Sequence, residues 1–468
     1  MNRRSFLGQS ALVGAIGSIT TSSFAYKAIN QSLFEKRGQK AKNIIFLVSD
    51  GMSSGTLNMA DRLIYLRDGK SSNWIDLYKQ QKITRALMDT ASADSLVTDS
   101  AAAGSSWGGG VRVPNGALNV NADGTTNRPI LQKFKAAGKA VGCVSTVPIT
   151  HATPASFCVN VKSRASQAEI ADLYLDLKFD VMMGGGAKYF DKELRKDNKD
   201  LFGAFKTAGI QVARTKAEAN QFSAVGPILG VFADDALPYA VDRKSDTDLQ
   251  TTVPSLAEMT TIAIDRLSKN PNGFVMQVEA GKVDWAAHAN DTSAILHDQI
   301  EFDEAIGVAM AFAEKNKETM VIITTDHGNA NPGLFKHKNA DSMFASVLNQ
   351  KHSNDWVLMG IKPSHSIGYT IERIQDAQNI VISEDQAQTI LSYYKNLDED
   401  GTYNEYKLPF RKYGEMQSGF TSVGWAGTDH SGDHVELAIY GPGSELLNPF
   451  ILNTDLHQIM LQATGING

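Results

Sequence analysis

The chain has no surplus of basic residues: 45 Lys and Arg stand against 51 Asp and Glu, a formal net charge of −6. That balance offers nothing to hold a polyanion such as duplex DNA, so nucleic-acid binding is excluded as a main role. Long apolar runs are also missing near the start, where Ser10 to Ile19 is too short and too rich in Gly, Ser and Thr to cross a bilayer. Cysteine is scarce. Cys143 and Cys158 are the only two; they flank a loop rich in candidate site residues, and reduced, buried thiols are expected. There is no internal repeat and no long low-complexity tract, and Gly108-Gly109-Gly110 and Gly184-Gly185-Gly186 lack a phosphate-loop pattern, so they read as tight turns. Hydrophobic residues at 42% and charged residues at 21% exclude disorder along most of the chain.

What is present begins with Asn2-Arg3-Arg4-Ser5-Phe6-Leu7-Gly8, the weakly apolar run and Ser23-Phe24-Ala25. The pattern predicts a twin-arginine export signal over residues 1–25, a linker over 26–42, and a destination outside the cytoplasm, periplasmic or secreted. No cysteine follows the cleavage point near Tyr26, so neither a lipid anchor nor membrane contact is expected after cleavage.

Asn43-Ile44-Ile45-Phe46-Leu47-Val48 is a continuous apolar run of the kind buried on both faces of a parallel sheet. Similar runs return at Ala140 to Thr146, Phe179 to Met183, Ile228 to Phe232, Gly273 to Val278, Thr319 to Thr325 and Val435 to Tyr440. Helical patterns lie between most of them, among them Ile130 to Ala137, Arg164 to Leu177, Ser255 to Lys269 and Ser293 to Lys317. The alternation predicts an α/β fold with a doubly wound, mainly parallel central sheet and helices on both faces, its ligands beyond the carboxyl ends of the strands. From about 331 to 427 the alternation breaks, and that stretch reads as an insertion into a domain running from 43 to 468.

Three of these strands run into an acid: Asp50, Glu279 and Asp326. Carboxylates gathered at one sheet edge cannot all stay ionised unless cations lie between them, so a metal cluster is the simplest resolution. His327 adds an imidazole beside Asp326, Asp284 and His288 stand four apart on one helical turn, and His430 precedes the last strand; mixed His and carboxylate ligands suit zinc. Asp99-Ser100-Ala101-Ala102 reads as a loop entering a helix, where free N–H groups favour an anion and a serine could receive phosphate. Ser100 is not framed by the glycines of a nucleophile elbow, so metal activation fits it better than a triad. Arg164 is expected at a helix start with a fork suited to phosphate oxygens. His151 and Thr153 follow a strand and belong to the same edge. His297, His337, His352, His365 and His457 have no such setting and read as surface or core.

From Asn43 onward the chain resembles the alkaline phosphatase family. The resemblance rests, in order, on Asp50-Gly51-Met52, Thr98-Asp99-Ser100-Ala101-Ala102, Thr153-Pro154-Ala155, Ser163-Arg164, Gly184-Gly185-Gly186, Val278-Glu279, Asp284 with His288, Thr325-Asp326-His327 and His430-Ser431-Gly432. It implies a phosphate-monoester hydrolase with Ser100 as nucleophile. One zinc would be held by Asp284, His288 and His430, the other by Asp50, Asp326 and His327. A third metal, usually magnesium, would bridge Asp50, Thr153 and Glu279. His151 stands where an aspartate is common and Trp285 where a lysine is common, as in marine-bacterial members, which leaves the third metal's identity open; both would order phosphate through waters, and Asp99 would stand with them on the substrate side. The resemblance also implies that the insertion is a crown-like element of a homodimer. The rivals are a phosphodiesterase or related phosphoryl-transfer enzyme on the same scaffold, and a phosphate-binding protein without turnover.

Overall fold

The computed structural model describes residues 40–222, 225–394 and 408–466. The expected export signal, most of the linker and the acidic run Asp398 to Gly401 lie outside the described residues. The central sheet contains β1 (Asn43–Ser49), β2 (Thr84–Asp89), β3 (Ala140–Pro148), β4 (Val181–Gly185), β5 (Gln211–Ala213), β6 (Ile228–Val231), β7 (Phe274–Ala280), β8 (Thr319–Thr324), β9 (Val435–Tyr440) and β10 (Phe450–Leu452). These ten strands follow the order β10-β2-β9-β8-β1-β7-β3-β4-β6-β5. Only β9 is reversed, running antiparallel to both β2 and β8.

The apolar runs form strands because both faces of the sheet are covered. In β1, Ile45 and Leu47 enter one core while Ile44, Phe46 and Val48 enter the other. Val321 and Ile323 of β8 join the first, Met320 and Ile322 the second. This period of two, with apolar residues at every position, is what a doubly wound sheet requires. Helices Ser54–Asp68, Leu256–Leu267 and Thr292–Lys315 cover one face, and Ser100–Gly108, Ile130–Ala136, Ala152–Cys158 and Asp455–Thr464 the other. β2, β5 and β10 are not among the strands read from sequence. β5 and β10 have three residues each, and β2 alternates exposed with buried positions, so none presents a long apolar run.

Between β8 and β9 the described residues are mainly helical: Ala340–Ala345, Asn354–Met359, Ile367–Gln378, Glu384–Tyr394 and Phe410–Thr421. They enclose a separate core around Leu358, Ile374, Ile390 and Tyr413. Gly333–Leu334 pairs antiparallel with Val423–Gly424 and draws the two ends of this stretch together. It is tied to the body where Asn354 N donates to Asp291 Oδ2 at 2.5 Å, and Asn354, Gln378 and Gln417 bond one another behind that contact.

No described helix is long and apolar enough to cross a membrane. Cys143 and Cys158 are free and buried, their Sγ atoms 3.9 Å apart. His457 is a core residue: Nδ1 lies 2.7 Å from the Trp107 carbonyl and Nε2 3.0 Å from Lys133 Nζ. Burial and the Lys133 charge push it down to about 4, and burial does the same to His297. An unfolded chain binds these protons near pH 6.5 and the fold binds them only near 4, so both histidines cost stability as pH falls through that window. Chemical denaturation across pH 4 to 6.5 should show stability falling with acid, with a shallower slope in His457→Asn.

Candidate metal centre and nucleophile

Sheet register sets the site. Val48 of β1 lies level with Glu279 of β7 and with Thr324 of β8, and Ser145 of β3 lies level with Glu279. Asp50, Glu279 and Asp326 therefore emerge side by side at the carboxyl edge. Asp50 does not cap a helix; Ser53 occupies the cap position of the helix that follows, Ser54–Asp68. Gly51 between them has φ 67°, and a Cβ there would collide with Asp284, so the close approach of this turn to Asp284 demands glycine.

Ser100 begins the helix Ser100–Gly108, with Asp99 as its N-cap accepting from Ala102 N. The serine is 1% exposed. Its Oγ lies 3.5 Å from Asp50 Oδ1 and 3.3 Å from His327 Nε2. Thr153 Oγ1, in helix Ala152–Cys158, donates to Asp50 Oδ2 at 3.3 Å.

Among the described residues, three groups gather ligand atoms closely enough to hold an ion: Asp284, His327 and His430; Asp50, Asp326 and His327; and Asp50, His151 and Glu279. His288 Nε2 adds to the first, 3.4 Å from Asp284 Oδ2. The histidines face the carboxylates through Nε2, at 3.4 Å for His430 to Asp284 and 3.2 Å for His327 to Asp326. Each Nδ1 lies against a backbone carbonyl: Thr428 for His288, Thr98 for His430 and Gly328 for His327. A carbonyl at Nδ1 fixes the proton there and leaves Nε2 free to bind a cation. Glu279 Oε1 and Asp326 Oδ2 are buried with no hydrogen-bond partner, a costly arrangement unless a cation meets them. Burial, then repulsion from Asp326, Asp284 and Glu279, holds the Asp50 carboxyl well above its usual range. Burial would also raise Asp284, but bonds to His288 and His430 hold it well below, and Asp284 in turn lifts His430 to about 9 against its own burial. The donor set fits divalent ions.

The expected position of Arg164 needs correction. It lies in a turn closed by Ser166 N donating to Ser163 O, before the helix Gln167–Leu177, so no helix start aims it. Its fork is held instead by side chains: Nη1 donates to Asp99 Oδ2 at 2.9 Å, and Nη2 lies 2.9 Å from His151 Nε2. Although Asp99 is largely buried, the Arg164 charge keeps its carboxyl below the usual range. His151 also meets Glu279, at 3.8 Å, and stands edge-to-face with Trp285 at 6.2 Å between ring centroids.

A profile described as alkaline phosphatase matches residues 41–466. The chain belongs to the alkaline phosphatase family. Alkaline phosphatases are metal-dependent phosphomonoesterases, and the clusters at the strand ends are the metal-binding part of this member. Alkaline phosphatase 4 of Bacillus subtilis (strain 168) is 32% identical over 464 residues, 96% of this chain and 95% of its own. The alkaline phosphatase of Thermus thermophilus has the same fold, with a TM-score of 0.85 and 31% identity over 92% of this chain and 93% of that one. A mutant alkaline phosphatase of the Antarctic bacterium TAB5, with Mg bound in its M3 site, matches at a TM-score of 0.66 and 25% identity, covering 92% of this chain and 99% of that one.

Two side chains at this alkaline phosphatase centre were not among the expected residues. Ser145 Oγ donates to Glu279 Oε2, and Asn329 Nδ2 donates to Asp284 Oδ1 at 2.7 Å. Ser145 could have been found by pairing the run Ala140 to Thr146 with Gly273 to Val278; Asn329 carries no sequence signal beyond standing two residues after His327.

Proposed function

We propose that this chain hydrolyses phosphate monoesters to alcohol and inorganic phosphate through a phosphoserine at Ser100, with two zinc ions and a third metal, magnesium in the first instance. The observation that supports it best is a buried hydroxyl at a helix start, directed at Asp50 and His327 where the carboxylate and imidazole clusters overlap. Asp284, His288 and His430 would hold one zinc, Asp50, Asp326 and His327 the other, and Asp50, Thr153 and Glu279 the third ion. When bound, such ions supply the charge that acidifies a serine hydroxyl, ionises water and neutralises phosphoryl oxygens.

Around them the side chains divide the work. Ser100 Oγ bonds to phosphorus as the ester oxygen leaves in line, and water then attacks the phosphoserine from the vacated side and restores the hydroxyl. Arg164 grips the equatorial oxygens, and Asp99 keeps its fork in place. His151 and Trp285 order the phosphate.

The same reading puts the protein outside the cytoplasm by the twin-arginine route and makes residues 331–427 the contact of a homodimer. That stretch has a core of its own and exposes Trp356, Met359, Tyr369 and Tyr393, which suits a partner surface.

Metal analysis of purified protein beside assays with an aryl phosphate and a bis-aryl phosphate tests the proposal. About two zinc ions and one further ion per chain are expected, with the monoester preferred and activity lost on chelation. A diester preference, or activity untouched by chelation, refutes it.

A further inference from the structure

Lys282 opens the helix Lys282–His288, which carries Asp284, Trp285 and His288, and it is only 5% exposed. Its ammonium makes no ion pair and no hydrogen bond with any described residue. Instead Nζ lies 3.5 Å from the ring centroid of Tyr239 and 4.9 Å from that of Trp285. The stem is enclosed while the ammonium rests on two aromatic faces, and its charge also holds down the Asp298 carboxyl, which burial raises to about 7. A cation held against two rings fixes how those rings sit as well as filling space.

Lys282 and Trp285 are three apart and share a helix face. Lys282 N donates to Thr146 Oγ1 on β3, which fixes the helix start against that strand. The indole meets the His151 ring edge-to-face, and His151 Nε2 lies 2.9 Å from Arg164 Nη2. The contacts thus run without a gap from Tyr239 through Lys282, Trp285 and His151 to Arg164.

We infer that Lys282 is a positioning residue for phosphate binding: its ammonium, clasped between Tyr239 and Trp285, sets the indole plane that orients His151 and with it the Arg164 fork. This rests on the phosphomonoesterase reading above. The role concerns affinity for the phosphoryl group rather than the bond-making step, because the Lys282 side chain makes no hydrogen bond or ion pair with Ser100 or with the carboxylates of the metal clusters.

Steady-state kinetics on the metal-loaded enzyme tests it, using an aryl phosphate as substrate and inorganic phosphate as inhibitor. Lys282→Met keeps the stem and removes the charge. It should raise KM and the phosphate inhibition constant together, about 3- to 10-fold, with kcat within about two-fold and metal content unchanged. Lys282→Arg, which can still stack its cation on both rings, should recover most of the loss. In a Trp285→Leu background the Lys282→Met shift should vanish, since the path is already cut. Unchanged KM and inhibition constant, an equal shift in the Trp285→Leu background, or a shift that follows metal loss each overturns the inference. Should Lys282→Met fail to fold, Tyr239→Leu removes the opposite face and must raise KM in the same sense; an unchanged KM there is likewise fatal. A wild-type enzyme that does not hydrolyse the aryl phosphate refutes the functional reading instead, and calorimetric titration of inorganic phosphate into the same variants still tests the positioning.

Discussion

Ser100→Ala is expected to lower kcat/KM for an aryl phosphate by about 10³-fold or more while leaving fold and metal content intact. The side chain is small, and its hydroxyl makes only long contacts, 3.5 Å to Asp50 and 3.3 Å to His327, so its removal costs at most ~1 kcal/mol of stability. The kinetic loss is large because the variant has no oxygen placed to take the phosphoryl group, and water would have to attack the ester directly. Acid-quenched wild type incubated with substrate should show a phosphorylated peptide containing Ser100, absent from the variant. Residual activity within ten-fold of wild type would mean that a water, not the serine, attacks phosphorus.

Asp50→Asn should be as damaging to turnover and opposite in its effect on stability. Asp50 reaches two of the three ligand groups, so losing its charge weakens both, and activity should fall by about 10³-fold with loss of bound metal. In chelated protein the same change should raise the melting temperature above that of chelated wild type. Asp50 is buried beside Asp326, Asp284 and Glu279, which push its carboxyl well above the ordinary range, and a neutral amide relieves that repulsion. Calorimetric scans with and without chelator decide the matter. A variant less stable than wild type in both states would show that Asp50 serves packing rather than charge.

Much of this centre could be read before any fold was known, because an apolar run that ends in an acid places that acid at the carboxyl edge of a parallel strand. Asp50, Glu279 and Asp326 follow from that rule, and Asp284 with His288 from helical spacing. Arg164 shows where the reasoning fails: a serine before a helical pattern suggested a helix start, but the turn at Ser163 to Ser166 delays the helix, and the guanidinium takes its aim from Asp99 and His151. Lys282 gave no signal at all, since a lysine at the head of a helix is ordinarily a solvated residue.

The sequence by itself determined that acids would stand at the carboxyl ends of β1, β7 and β8, and that the sheet would be buried on both faces, since periodicity and residue chemistry are local properties. Only the tertiary structure decided that β9 runs backwards, that Thr98, Gly328 and Thr428 present their carbonyls to His430, His327 and His288, and that the Lys282 ammonium rests near the Trp285 ring. Those outcomes depend on the register of strands and loops far apart in the chain, and register follows from packing the whole core, which no short window of sequence encodes.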